Sequence, residues 1–208
     1  MTAQVVLVGA PGSGKSTVGP LLAARLGVPF TDVDSEIEQR VGRSVAEIFA
    51  DDGEAVFRAF EEATTIELLD TPGVLALGGG AVLSAATRSA LRGHHVVWLQ
   101  VGAGEAASRV GLNTARPLLL GNVRGRLVAL LAQRRPLYAE VASHEIATDD
   151  LPPEVVVDLI AAELSADDSA LRQAQGMSTG QAHGTFAGRP RDTASSTSSD
   201  PVEGRSER

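Results

Sequence analysis

Eight residues, Gly9-Ala10-Pro11-Gly12-Ser13-Gly14-Lys15-Ser16, constrain this chain more than any others. They match G-x-x-x-x-G-K-[ST] in full and stand between two runs of opposite character. Val5-Val6-Leu7-Val8 is short, apolar and β-branched, the pattern of a buried strand. Lys15 to Leu26 has helical composition, with Gly27 placed to end it and Pro29 just beyond. Small residues between a strand and a helix let backbone N–H groups wrap an anion at the positive end of that helix. Lys15 adds a point charge, and the Ser16 hydroxyl is placed to ligate Mg²⁺. A bare glycine-rich turn is the alternative, and the flanking strand and helix remove most of its weight. The run implies a nucleoside triphosphate and leaves the phosphate acceptor open.

The remainder repeats the strand-then-helix rhythm. Phe30 to Asp34, Val74 to Leu77, His95 to Val101 and Glu145 to Ala147 read as strands. Helices are expected after a Ser35 cap and after Ser44, where Ser44-Val45-Ala46-Glu47 is a capping box. Others follow Gly53, open at Ser84, end near Gly111, and span Arg124 to Arg134 and Pro153 to Leu164. Such alternation predicts α/β architecture: a three-layer sandwich of the P-loop NTPase kind, with a short, mainly parallel five-stranded sheet between helices. Aromatic residues make up only 3% of the 208, so Leu, Val, Ile and Ala must build the core. From Ser165 the chain turns to Ser, Thr, Gly, Asp, Gln and Arg without periodicity. The expected organisation is therefore a domain over 1–164 and a disordered tail over 165–208.

Charge and cysteine content narrow the function classes. The net charge is −8, so the basic face of a nucleic-acid binder is not expected. Lys15 is the only lysine, and there is no cysteine for disulfides or thiolate metal sites. No stretch reaches membrane-span length, and residues 1–4 lack a signal-peptide n-region. A cytoplasmic monomer acting on a small molecule is expected, with no nucleic-acid or membrane partner.

Several residues carry chemistry at the sheet edge. Asp32 and Asp34 close the second strand, where one could steer Mg²⁺ waters and the other accept a hydroxyl proton. Asp34 could equally be a helix cap. Arg58, with Glu61 three residues on, offers a carboxylate fork or a plain surface ion pair. Gly78-Gly79-Gly80 marks a close approach of backbone or ligand, or a flexible turn. The arginines around 111–125, with Arg116 in the middle, suit either a mobile lid or a charged surface loop. Arg134-Arg135-Pro136-Leu137-Tyr138 follows a helix and adds another anion fork.

Taken in order, these motifs resemble the shikimate kinase family. The series is G-x-P-G-S-G-K-S at Gly9 to Ser16, D-x-D at Asp32 to Asp34, and I-E-Q-R-x-G-R-S at Ile37 to Ser44. It continues with I-F at Ile48-Phe49, G-E-x-x-F-R-x-x-E-E at Gly53 to Glu62, and G-G-G at Gly78 to Gly80. R-P-L-L at Arg116 to Leu119 and R-x-P-L-Y at Arg134 to Tyr138 complete it. The resemblance covers roughly Val5 to Leu164.

The resemblance implies phosphoryl transfer from ATP, with Mg²⁺, to the 3-hydroxyl of shikimate. Gly12, Ser13, Gly14, Lys15, Ser16 and Thr17 would hold the nucleotide, with Arg109 near the adenine and Arg116 on the phosphates. Asp34 would be the base, joined in catalysis by Lys15 and Arg116. Arg58 and Arg134 would hold the substrate carboxylate; Gly78, Gly79, Gly80 and Glu61 would complete that side, walled by Phe49 and Phe57. Ser16 and, through water, Asp32 would serve the metal. All this requires Asp34 and Arg58 to face one pocket. Another small-metabolite kinase, such as a gluconate kinase, and a non-catalytic nucleotide-binding relative are the alternatives. One departure is Asp149-Asp150-Leu151, where the family often carries basic residues beside the adenine, which puts the grip on ATP there in question.

Overall fold

Residues 5–109 and 123–179 are described by the computed structural model. Five strands pair in parallel in the order β2-β3-β1-β4-β5: β1 Val5–Val8, β2 Phe30–Asp32, β3 Val74–Ala76, β4 His95–Gln100 and β5 His144–Ala147. β1 lies at the centre and every one of its residues is buried. Alternation splits it between two cores. Val6 and Val8 join Leu75, Val96 and Trp98 on one face, and Val5 and Leu7 join Val74, Val97, Leu99 and Ile146 on the other. Burial on both faces is why β1 reads as an unbroken apolar run rather than an alternating one.

Helices cover both faces. On the Val5/Leu7 side lie α1 Lys15–Leu26 and α8 Pro153–Thr179, through Val18, Leu22, Val156 and Ile160. Gly19 of α1 lets the helix close on Phe30, whose ring a Cβ there would strike. The other side carries α2 Val33–Val41, α3 Val45–Asp51, α4 Glu54–Leu68, α5 Ala85–Ala90 and α7 Val123–Val141. The capping box on Ser44 and Glu47 forms as expected. A short helix, α6 Ala103–Arg109, follows β4.

Three local expectations are corrected. The second strand stops at Asp32, because the Asp32 carboxylate accepts from the N–H groups of Asp34 and Ser35 and so caps α2. Asp34 therefore sits in the first turn of a helix, not on a strand beside Asp32. The Arg134–Tyr138 run lies within α7, which passes through Pro136. Losing one helical hydrogen bond there is offset by burial of Tyr138 against Trp98. The final helix does not stop at Leu164 but continues to Thr179. Alanine, glutamine and arginine in that stretch favour helix, and Ser165 and Ser169 bond back to carbonyls four residues earlier.

The chain divides into two units, Met1–Ser169 with the sheet and Ala170–Arg208, described only as helix to residue 179. The segment with Arg116, where a lid is expected, and the tail beyond 179 lie outside the described residues.

Candidate active site

The carboxyl ends of all five strands supply the site, as an open parallel sheet dictates. The loop after β1 enters α1 through Gly14, a left-handed N-cap with no side-chain cap bond. The first N–H groups of α1 are therefore uncapped by any side chain and point at a space suited to an anion. Gly12 makes this possible twice over. Its φ is +82°, and a Cβ there would stand 2.8 Å from the Ala106 carbonyl. Lys15 is curled onto its own loop, donating to the carbonyls of Gly9 at 2.8 Å and Ala10 at 3.1 Å. Burial lowers its pKa to about 8, against the opposing pull of Asp32 and Asp34.

A cavity of about 470 Å³ opens over this loop. Among the described residues it is lined by Pro11, Gly12, Gly14, Lys15, Ser16, Thr17, Asp32, Asp34, Leu77, Gly78, Gly79 and Arg109. The Ser16 hydroxyl donates to Asp32 Oδ2 at 3.4 Å, so two hard oxygen donors adjoin beside the loop. That donor set suits Mg²⁺. Asp34 Oδ1 is buried with no hydrogen bond within the described residues. Its pKa is pushed up to about 6, first by burial, then by Glu61 and Asp32, with Lys15 and Arg58 opposing. Ser13, expected among the nucleotide-binding residues, is fully buried and does not line the cavity; its hydroxyl lies 3.4 Å from Lys15 Nζ.

Beyond Gly78 lies a second group. Glu61 is 2% exposed, on the core-facing stripe of α4 with Phe57, Thr64, Thr65 and Leu68. Burial raises its pKa, and Arg58 Nη1 donates to it at 2.6 Å. Arg58 also bonds Glu54, and its guanidinium lies 5.3 Å from the Phe57 ring centre and 5.8 Å from that of Phe49. Phe57 is buried, and Phe49 is exposed beside it.

The requirement that Asp34 and Arg58 face one cavity is not met here. Arg58 opens with Glu61 and Gly80 on adjoining space of about 430 Å³. A buried carboxylate needs a cation, and Glu61 holds Arg58 to it. The partition is thin: a Cβ on Gly78 would collide with Glu61 Oε1 and stand 2.7 Å from Asp34 Oδ1. A Cβ on Gly80 would strike the Arg58 guanidinium. The three glycines thus mark a close approach of side chains to backbone, not a loose turn.

Arg134 and Tyr138, one turn apart on α7, both donate to the Gly79 carbonyl, at 3.0 and 2.6 Å. Arg134 Nε remains buried without a partner within the described residues, as does Glu61 Oε1. On the nucleotide side, Arg109 donates to the Thr148 carbonyl at 2.7 Å, to the Thr148 hydroxyl at 3.2 Å and to Glu105. Asp149 is committed locally, both oxygens accepting from the Gly102 N–H at 3.0 Å. Sequence reasoning missed Thr148 as the anchor of Arg109 and Tyr138 as the clamp on Gly79. The i,i+4 spacing of Arg134 and Tyr138 was the available signal for the second; nothing local marked the first.

A helix-opening phosphate loop, a lone lysine and a carboxylate with raised proton affinity in one cavity define a P-loop phosphotransferase. The family model for shikimate kinase matches residues 11–165. The shikimate kinase of Thermobifida fusca (strain YX) is 54% identical over 162 residues, covering 77% of this chain and 94% of that protein. That of Saccharopolyspora erythraea is 52% identical over 175 residues, 83% of this chain and all of its own length. Among solved structures, shikimate kinase from Acinetobacter baumannii in complex with shikimate superposes with a TM-score of 0.72 at 37% identity, over 82% of this chain and 95% of that one. The chain belongs to the shikimate kinase family.

Proposed function

We propose that this chain is an ATP-dependent shikimate kinase, transferring the γ-phosphoryl group of ATP to the 3-hydroxyl of shikimate to give shikimate 3-phosphate and ADP. One observation carries the reading: a single cavity joins the phosphate-binding loop to Asp34, a carboxylate poised to take a proton near neutral pH. In the reaction the hydroxyl oxygen forms the new P–O bond, its proton passes to Asp34, and the bond to the ADP oxygen breaks. Lys15 exchanges its loop carbonyls for the charge on the transferring group, so positioning and electrostatics supply most of the acceleration. Ser16 and, through water, Asp32 would hold Mg²⁺, which would supply neutralisation of phosphate charge.

Arg116, outside the described residues, is assigned to the same charge on the strength of its Arg-Pro-Leu-Leu motif. Arg58, Arg134, Glu61 and Gly78–Gly80 are assigned to the acceptor, with Phe49 and Phe57 as its wall; this assignment requires the acceptor to bridge the two adjoining cavities across Gly78, where Asp34 and Glu61 both approach. Three buried polar atoms without partners among the described residues, on Asp34, Glu61 and Arg134, support that placement, because unpaired buried groups are costly unless a ligand completes them. Gly12, Gly14, Thr17 and Arg109 are assigned to the nucleotide. We place the protein in the cytoplasm as a monomer; among the described residues no helix is long and apolar enough to cross a membrane. Residues beyond 179 are assigned no part in turnover, and limited proteolysis with an activity readout checks this.

The deciding experiment is a coupled ADP-release assay with shikimate, gluconate and AMP as acceptors. Turnover with shikimate alone is expected. Turnover with gluconate or AMP and none with shikimate would overturn the assignment, and no turnover with any would mark a non-catalytic relative.

A further inference from the structure

The opposite end of the sheet carries a cluster that phosphoryl transfer does not use. β4 begins at His95 and β5 at His144, so both histidines sit at the amino ends of neighbouring strands, away from the catalytic loops. Register sets their direction. Val97 pairs with His144, and His95 lies two residues before Val97, so all three side chains leave the same face of the sheet. That face is covered by α8, whose core stripe runs through Val156 and Ile160. Continuing the stripe by three and then four residues brings Glu163 and Asp167 over the two histidines. The apolar seam between helix and sheet thus ends in two imidazoles and two carboxylates.

The distances are tight. His144 Nε2 lies 2.8 Å from Asp167 Oδ2, and His95 Nδ1 lies 3.5 Å from the same oxygen. One ligand atom from each of His95, His144 and Asp167 falls within 4.8 Å of the others. Ligands around a tetrahedral Zn²⁺, with bonds of ~2.0–2.2 Å, stand about 3.3 Å apart, so two of these pairs already bracket that spacing. The other ring nitrogen of His144 faces Glu163 at 3.6 Å, the carboxylate–histidine arrangement that fixes the tautomer of a metal-bound imidazole. The His144 side chain is 11% exposed, while His95 and Asp167 are 32% and 40% exposed, so an ion could enter from the solvent side.

We propose that His95, His144 and Asp167 bind a divalent transition metal of the Zn²⁺ class, with Glu163 orienting His144 and water at the fourth position. Two imidazoles and one carboxylate favour such a cation over Mg²⁺ or Ca²⁺, which prefer oxygen alone. The ion staples α8 to the amino ends of β4 and β5 and leaves turnover untouched. Asp167 lies beyond the segment matched by the family model, residues 11–165, so the complete ligand set is not contained in that segment.

The test uses untagged, chelator-stripped full-length protein titrated with ZnCl₂ by calorimetry and with Co²⁺ by visible absorption, alongside thermal melts. Wild type is expected to bind one Zn²⁺, to give the intense d–d bands of four-coordinate Co²⁺ and to melt higher with Zn²⁺, with no matching rise from Ca²⁺ or Mg²⁺. All three signals vanish in His95→Gln/His144→Gln, whose turnover with MgATP is retained and shows that it is folded. Glu163→Gln weakens Zn²⁺ binding about 10–100-fold. If the pair of substitutions blocks folding, His95→Gln alone, at the more exposed ligand, provides the same comparison. Failure of wild type to bind, or equal binding by wild type and the folded variants, would overturn the site and leave the cluster an ion pair.

Discussion

The two halves of the active site meet their polar demands in opposite ways. In the nucleotide half the cationic side chains are satisfied from within: Lys15 rests on the carbonyls of Gly9 and Ala10, and Arg109 on Thr148 and Glu105. The acceptor half is not: Asp34, Glu61 and Arg134 each bury a polar atom without a partner within the described residues. A phosphate loop can be prepared by backbone alone, because its ligand is a symmetric anion that any N–H recognises. An alcohol with a particular neighbouring carboxylate must be read by side chains held in wait, and those remain unpaired until it binds. Selectivity for the acceptor should therefore reside in the costly half.

The largest effect should come from Asp34→Asn. Loss of the proton acceptor should lower kcat by roughly 10²–10⁴ while leaving ATP binding intact. The same change should stabilise the fold. Because the native pKa of Asp34 is raised above its ordinary 3.8 to about 6, the stability it contributes is present at acid pH and lost as pH rises through about 6. Asn removes that loss, on the order of 1–3 kcal/mol at neutral pH. Melts at pH 7 should favour the variant, and the gap should close towards about pH 4, the unperturbed carboxylate range. A variant that is slow but no more stable would mean that Asp34 is not held at a cost.

Arg58→Lys comes next and tests the partition at Gly78. If Arg58 reaches the acceptor, KM for shikimate should rise roughly 10–100-fold, the ~1.5–3 kcal/mol of a charge-assisted hydrogen bond, with kcat changed far less. If Arg58 serves Glu61 alone, the melting temperature falls and KM stays put. Arg134→Lys runs in parallel on the α7 side.

How much of this was legible in the sequence follows the same division. The phosphate loop could be read because its geometry is local: strand, small residues and helix are consecutive, and each glycine answers to a neighbour in the chain. The parallel sheet was legible from strand–helix alternation, but alternation is compatible with several strand orders and does not single out β2-β3-β1-β4-β5. The acceptor half depends on residues 18 to 100 positions apart, Asp34, Glu61, Gly79 and Arg134, and only the family resemblance joined them beforehand. One trace was local: Glu61 stands on the buried stripe of α4 where an apolar residue belongs, and such an intrusion has a functional or ionic reason. The capping role of Asp32 was given to Ser35, because both types cap well and backbone geometry decides between them.

The pH profile probes both halves at once. In free enzyme, kcat/KM should fall below about pH 6 as Asp34 takes up a proton, and above about pH 8 as Lys15 loses one. Each limb should lose about tenfold per pH unit beyond its midpoint. In Asp34→Asn the acid limb should vanish from the residual rate while the alkaline limb stays. If both limbs disappear together, the two groups titrate as one coupled pair, and the separation into halves fails.

The smallest effect is expected from Asp149→Asn, on the nucleotide side. A carboxylate near an anion site suggests repulsion of ATP, but both Asp149 oxygens already accept from the Gly102 N–H, which ties the charge to backbone. Asn keeps one acceptor oxygen there and removes the charge. KM for ATP should therefore change by no more than about fivefold, the ~1 kcal/mol of a single exposed charge. The shift should shrink further as salt is raised, because screening weakens any charge–phosphate term of this kind. A change above about tenfold would carry more than ~1.4 kcal/mol, beyond what an exposed, backbone-tied charge supplies. It would place Asp149 directly against the nucleotide, and the nucleotide half would then no longer be satisfied from within.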